Sequence, residues 1–200
     1  FLTIMLLGSR CAHPGKESGN SEVIPSLPLF VNICGDVWAT RNLDVATYRN
    51  GDTIPKVPDA NEWVKLTTGA WCRYNNDSDT YHAYGRLYNW YAMNDPYGLA
   101  PEGWHVLIDA ERDAMETCLG EDSAGYRMRE AGTAHWPGPV TTIDNSCSFN
   151  GVPSGMRSSD GTFTHGGRSA VYWTSVEGSL SEAWCGRPIP YGSATRVSLL

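Results

Sequence analysis

Six cysteines, Cys11, Cys34, Cys72, Cys118, Cys147 and Cys185, are the most reactive side chains of this chain, and none stands in a C-x-x-C pair. Zinc ribbons and dithiol redox motifs need such close pairs, so this spacing supports neither. A lone cysteine without a positioned base is ordinarily a small buried hydrophobe. In an exported chain the six permit disulfides, but the sequence does not supply their connectivity. His13, His82, His105, His135 and His165 are equally scattered, with no His-x-x-x-His or His-Glu pair, so no metal-hydrolase geometry is encoded and no metal is expected. Gly151-Val-Pro-Ser-Gly155 has a proline in the wrong place for a nucleophile elbow and lacks the strand-turn-helix context. The run from Asn75 to Asp79 concentrates hard oxygen ligands that suit calcium, but it lacks the glycine and distal glutamate of an EF-hand loop and reads as a solvated Asx turn. No catalytic residue and no cofactor is expected.

Rings rather than nucleophiles dominate. Tyr84–Ala92 (YGRLYNWYA) and Gly98–Val106 (GLAPEGWHV) place Trp90, Trp104 and a series of tyrosines close together. Large amphipathic rings bury apolar area while their polar tips seek partners, so this block is either an aromatic core or a ligand surface. Elsewhere Trp173, Trp184, Arg187, Tyr191 and Arg196 supply the residue types that dominate binding hot spots.

The elements that must position these residues are short. Leu29–Ile33 is a β-branched run, and Asp36–Thr40 continues it beyond the Cys34-Gly35 break as a second strand or the far side of a bulge. Asn50-Gly51 marks a turn. Glu62–Leu66 suits one helical turn, Trp71–Tyr74 a strand, and Tyr84–Met93 a short helix. The clearest helix follows Ile108, with Asp109 as N-cap, an apolar stripe of Ala114, Met115, Cys118 and Leu119, and Gly120 as terminator. A weaker helix covers Ala124–Glu130. Tyr172–Val176 and Ala183–Cys185 are late strands. His105 is expected to satisfy buried backbone groups, Glu102 to accept loop N–H groups at a structural corner, and Arg157 and Arg168 to tie loops together through carbonyls.

Composition agrees with a mixed, loop-rich chain. Charged residues are 18 % and the chain carries 21 Gly and 12 Pro, which punctuate helices. A net charge of -7 without any basic run gives no footprint for nucleic acid or for an anionic membrane surface. At the N-terminus, residues 1–11 read as the end of an export signal, with Cys11 as a lipoprotein cysteine. Residues 12–28, rich in Pro, Gly, Ser and Asn, read as a linker, and the folded domain is placed at 29–200.

Taken in order, Val37–Val45 (VWATRNLDV), Thr47–Asp52 (TYRNGD), Gly85–Ala92, Pro101–Val106, Phe149–Arg157 (FNGVPSGMR), Gly161–Phe163, Tyr172–Ser175 (YWTS) and Ala183-Trp184 resemble the Fibrobacter succinogenes major paralogous domain. That family looks like a branch of the C-type-lectin-like fold shared with formylglycine-generating enzymes and retroelement variable proteins. The resemblance implies an α+β domain with a twisted antiparallel sheet, two helices and long ordered loops, exported to the cell surface or outer membrane or secreted. It implies that most of the aromatic block is scaffold; of the two late strand tryptophans, Trp173 and Trp184, Trp173 is the one read as a core residue. Ala100 stands where members often carry a cysteine that would pair with the last strand, and Pro188 and Pro190 interrupt the region of that closing strand, which is expected to be truncated. By resemblance to the variable proteins, the ligand face comprises Trp184, Arg187, Tyr191 and Arg196. The expected function is non-catalytic binding of a protein or glycan ligand, with membrane attachment only through Cys11. One alternative is a formylglycine-generating-like oxidase, which needs a copper-binding cysteine pair where Cys185 stands alone. Another is a structural module of a surface array.

Overall fold

The computed structural model describes residues 6–8, 30–77, 82–136, 145–179, 182–185 and 195–198. The chain is α+β. Its elements run β1 (Leu6–Gly8), β2 (Phe30–Ile33), β3 (Asp36–Ala39), α1 (Ala60–Trp63), β4 (Trp71–Cys72), β5 (Leu87–Tyr88), α2 (Trp90–Met93), β6 (Trp104–Val106), α3 (Asp109–Leu119), α4 (Ala124–Met128), β7 (Met156–Arg157), β8 (Phe163–Thr164), β9 (Trp173–Ser179), β10 (Glu182–Cys185) and β11 (Thr195–Ser198). In place of one large sheet, the strands form a four-stranded sheet β2-β3-β1-β6, a three-stranded sheet β11-β10-β9, and the two-stranded pairs β4-β5 and β7-β8. All of these named strand pairs are antiparallel.

Side-chain alternation explains how the strands divide the interior. Successive strand residues point to opposite faces. Accordingly Val37 and Ala39 face a core built around Trp90, Trp104 and Trp173, whereas Trp38 between them faces a second core built around Met115, Met128 and Trp136. The approach to β9 repeats this split, with Val171 and Trp173 in the first core and Ala170 and Tyr172 in the second. A third, smaller core joins Val57, Trp63, Cys72 and Leu87.

Several expectations change in detail. Cys34 (φ 56) and Gly35 (φ 93) form the two-residue turn of a β2-β3 hairpin, since Ile33 pairs with Asp36. Two consecutive left-handed residues match the right-handed twist of the flanking strands. Tyr84–Met93, read as a helix, is instead strand β5 followed by α2. Asn89 makes the break: its Oδ1 accepts from Ala92 N at 2.9 Å as the cap of α2 and from Ala70 N at 2.9 Å across the chain. The cap of α3 is Ile108 rather than Asp109, with Glu111 Oε2 reaching back to accept from Ile108 N at 3.1 Å. Cys118 leaves the apolar stripe of α3, of which Met115 and Leu119 are buried. It is disulfide-bonded to Cys34 across a Cα–Cα distance of 6.3 Å.

The N-terminus holds the largest difference. Leu6–Gly8, read as part of an export segment, lies between β3 and β6 in the middle of the four-stranded sheet. Leu6 is 1 % exposed and belongs to the first core. An apolar Leu-Leu-Gly stretch satisfies its backbone groups on both neighbours there, which is why it pairs as a strand.

Candidate ligand-binding face

The support of the candidate face is aromatic. Trp173 opens β9 fully buried, donates from Nε1 to the Tyr88 carbonyl at 2.8 Å, and meets Trp90 at a ring separation of 5.7 Å. Tyr88 is fixed in turn, because its hydroxyl donates to Val45 O at 2.7 Å and accepts from Val45 N at 2.8 Å. Burial first, with Asp44 adding to it, raises the pKa of Tyr88 above the normal phenol range, so it acts only as a neutral hydrogen-bonding group. Trp90 and Trp104 lie in the same core. The block from Tyr84 to Val106 is therefore scaffold, with Tyr91 and Tyr97 as its exposed large rings.

Three arginines brace this scaffold by stacking on indoles. The guanidinium carbons of Arg86, Arg129 and Arg157 lie 4.0, 4.0 and 3.8 Å from the ring centres of Trp71, Trp136 and Trp63. Arg157 goes furthest, since it is fully buried and donates to Gly161 O at 2.9 Å, Val57 O at 2.9 Å and Pro58 O at 3.0 Å. The expected tying of loops through carbonyls holds at this residue. Its planar fork satisfies acceptors from two loops at once, which a lysine cannot reproduce.

On this base β9, β10 and β11 place two of the four expected ligand residues. Trp184, on the central strand β10, stands directly opposite Arg196 on β11. Against β9, the register shifts between Ala183 and Cys185, so Trp184 sits at an irregularity of the ladder. Such irregularities bend a strand and re-aim its residues. Arg187 and Tyr191 lie outside the described residues.

Several reactive groups among the described residues are engaged in structure. Cys72 is fully buried, and burial pushes its thiol up to about 11 against the lowering effect of Arg157, which keeps it protonated and unreactive at neutral pH. The Cys147 thiol donates to Arg127 O at 3.0 Å. His105 Nε2 meets the Glu111 carboxylate at 2.9 Å, a side-chain partner rather than the backbone groups expected of it. His135 Nδ1 lies 2.7 Å from Glu130 Oε2 and edge-on to Tyr84. The corner at Pro101–Trp104 is closed by Trp104 N donating to Pro101 O at 3.0 Å, while Glu102 is exposed. Within the polar run, Asn75 (φ 51) and Asn76 (φ 57) take left-handed conformations, and Asn76 Nδ2 donates to Pro58 O at 2.9 Å. Among the described residues no three His, Cys, Asp or Glu side chains gather as a metal site, and no helix is long and apolar enough to cross a membrane.

The disulfide and β1 are the features that sequence reasoning missed. A usable signal existed for the first: Cys34-Gly35 between two β runs marks a hairpin tip, where a side chain projects toward a neighbouring element. For β1 the three residues alone carry no strand signal against an apolar N-terminal run.

Residues 31–191 match the family model of the Fibrobacter succinogenes major domain. No curated protein and no solved structure matches the chain. The chain belongs to the Fibrobacter succinogenes major domain family.

Proposed function

We propose that this domain is an exported, C-type-lectin-like binding module that recognises a protein or glycan at the cell surface through Trp184, Arg187, Tyr191 and Arg196, without catalysis. The observation that carries the reading is the register of β10 on β11, which sets an indole-bearing residue directly opposite a guanidinium-bearing one. Trp and Arg contribute large contact area and directional donors, and they serve recognition best on a rigid base. That base is present in the buried Trp173–Tyr88–Val45 chain of hydrogen bonds beneath the start of β9. The disulfide between Cys34 and Cys118, both exposed, supports export, because exposed disulfides persist in oxidising compartments.

The test is a screen of the full chain against glycan and surface-protein arrays, followed by single alanine substitutions at the four positions. The expected result is a specific ligand whose affinity falls at least about tenfold for two or more of them, an ordinary hot-spot effect. Each variant must keep the wild-type circular dichroism spectrum. A ligand bound equally well by all four variants overturns the site, and an array without any hit from well-folded protein overturns the binding reading.

A further inference from the structure

The position of β1 carries an inference that does not depend on the ligand face. Leu6–Gly8 pairs on both sides at once: Leu7 with Trp38 and Gly8 with Val37 on β3, and Leu6, Leu7 and Gly8 with Val106, His105 and Trp104 on β6. Its side-chain anchor is Leu6, in the same core as Ala39 and Trp104. Beyond Gly8 the next strand begins at Phe30, and β1 and β2 are separated in the sheet by β3 alone. Two strand spacings are ~10 Å, a gap that the intervening residues 9–29 exceed many times when extended. Chain connectivity therefore does not force β1 into the sheet. Among the described residues, a short double ladder and the buried Leu6 side chain hold it.

A strand of three residues between two others is also a slot of three residues. Remove β1 and both β3 and β6 present unpaired backbone groups toward each other, with an apolar socket where Leu6 was. Such groups are costly to leave unmade and form a template for an extended peptide. The geometry points to a strand-acceptor site between β3 and β6, which takes an extended segment carrying a branched apolar residue two positions ahead of a glycine. In the chain as described its own Leu6-Leu7-Gly8 occupies that site in cis. Main-chain pairing supplies affinity and the Leu6 socket supplies selectivity, the general logic of strand addition. Residues 1–11 also carry the export reading, and processing ahead of Cys11 would withdraw β1 and leave the slot for a strand from another chain. That setting rests on the export reading, but the slot and its test do not.

The test uses the full chain bearing Leu6→Asp, which puts a carboxylate into the apolar socket and expels β1, with a synthetic peptide of residues 4–9 as probe. Hydrogen exchange is read at Asp36–Ala39 and Trp104–Val106. In the wild-type chain both segments are expected to be protected, and in Leu6→Asp both lose protection together by at least about tenfold, with the Cys34–Cys118 disulfide intact. Adding the peptide restores protection in both segments, and a peptide carrying the same Leu6→Asp change does not. A cis strand competes at an effective concentration on the order of millimolar, so the wild-type chain should need far more peptide than the variant for the same occupancy. If Leu6→Asp unfolds the whole chain, Leu6→Ala is read in the same way. The inference is overturned if the two segments exchange freely in the wild-type chain, if the variant leaves them protected, or if the peptide fails to restore protection in a folded variant. Alanine at Trp184 or Arg196 should leave peptide rescue unchanged, which separates this site from the ligand face.

Discussion

Two buried tyrosines offer a controlled experiment, because the same substitution should act in opposite directions. Tyr88 and Tyr172 are both buried, and burial raises both phenol pKa values above the normal range. The Tyr88 hydroxyl bridges Val45, donating to its carbonyl at 2.7 Å and accepting from its N–H at 2.8 Å. The Tyr172 hydroxyl has no hydrogen-bond partner among the described residues. Tyr88→Phe strands two backbone groups at roughly 1–2 kcal/mol each, given that Val45 is only partly buried, for a loss of about 3 kcal/mol. Tyr172→Phe removes a hydroxyl whose desolvation is uncompensated, so the change should be neutral or stabilise by up to ~1 kcal/mol. The two variants should differ by at least ~2 kcal/mol, about thirtyfold in the folding equilibrium. Urea unfolding measures this directly: with a slope near 2 kcal/mol/M, the midpoints should stand about 1 M apart at unchanged slope. Equal losses for the two variants, or a loss above ~1 kcal/mol for Tyr172→Phe, refute the assignment of one hydroxyl as bonded and the other as orphaned.

Three further outcomes follow from the packing. Reduction of Cys34–Cys118, or serine at both positions, should cost up to ~4.5 kcal/mol from the loop-closure entropy of a sequence separation of 84, and a urea midpoint unchanged by reductant contradicts a formed bridge. Cys72 ionises near 9.0 when unfolded and near about 11 when folded, so its contribution is complete below pH 9 and declines as pH rises toward 11, at ~1.4 kcal/mol per pH unit. Cys72→Ala should remove that part of the alkaline dependence, and a thiol reagent should reach Cys72 only after unfolding. Gly69→Ala drives a methyl group into the Tyr48 hydroxyl and against Ala92 Cα at 3.1 Å, costing roughly 1–3 kcal/mol. Tyr48→Phe should recover part of that loss, and a double-mutant cycle without coupling contradicts the contact.

How much the sequence disclosed depends on where the deciding physics was local. The β2-β3 pair, the turn at Asn50-Gly51 and helix α3 come from nearby signals: β-branched runs, left-handed turn residues, a glycine stop. The run Tyr84–Met93 misleads because its helical spacing is real, yet Asn89 accepts from Ala70 N as well as Ala92 N and so ties Leu87–Tyr88 into a strand beside Trp71–Cys72. No local pattern encodes a partner that far along the chain. The disulfide has the same character, since it joins residues 84 apart whose closeness exists only after α3 packs on the hairpin. For the candidate face, residue type nominated Trp184 and Arg196, and their cross-strand register became visible only in the folded chain. The arginine–indole stacks were hidden for a related reason. Arg157 and Trp63 are each unremarkable in sequence, and only folding places a cation on a ring and three carbonyls around it.

The buried indoles of the described residues are thus spent on rigidity. Trp173, Trp90 and Trp104 fill one core, Trp38 and Trp136 another, and Trp63 and Trp71 carry arginines. Trp63, Trp71, Trp136 and Trp173 donate from Nε1 to carbonyls and Trp90 packs on Trp173, whereas Trp38 meets Phe149 edge-on and its Nε1 has no partner among the described residues. Phe149 also meets Tyr172 edge-on at 6.5 Å, so the two unpaired polar groups of the second core flank one ring. A core with both a donor and a hydroxyl left unpaired among the described residues is less tightly specified than its neighbour, where the Tyr88 hydroxyl is bonded twice and Trp173 Nε1 once. If that difference governs local stability, the second core should open first. Amide exchange at α3 and α4, which pack on it through Met115, Leu119 and Met128, should then be faster than at β5, which is sealed by Tyr88 in the first. Slower exchange in α3 and α4 than in β5 would show that the disulfide, anchored on α3, outweighs the two unpaired groups.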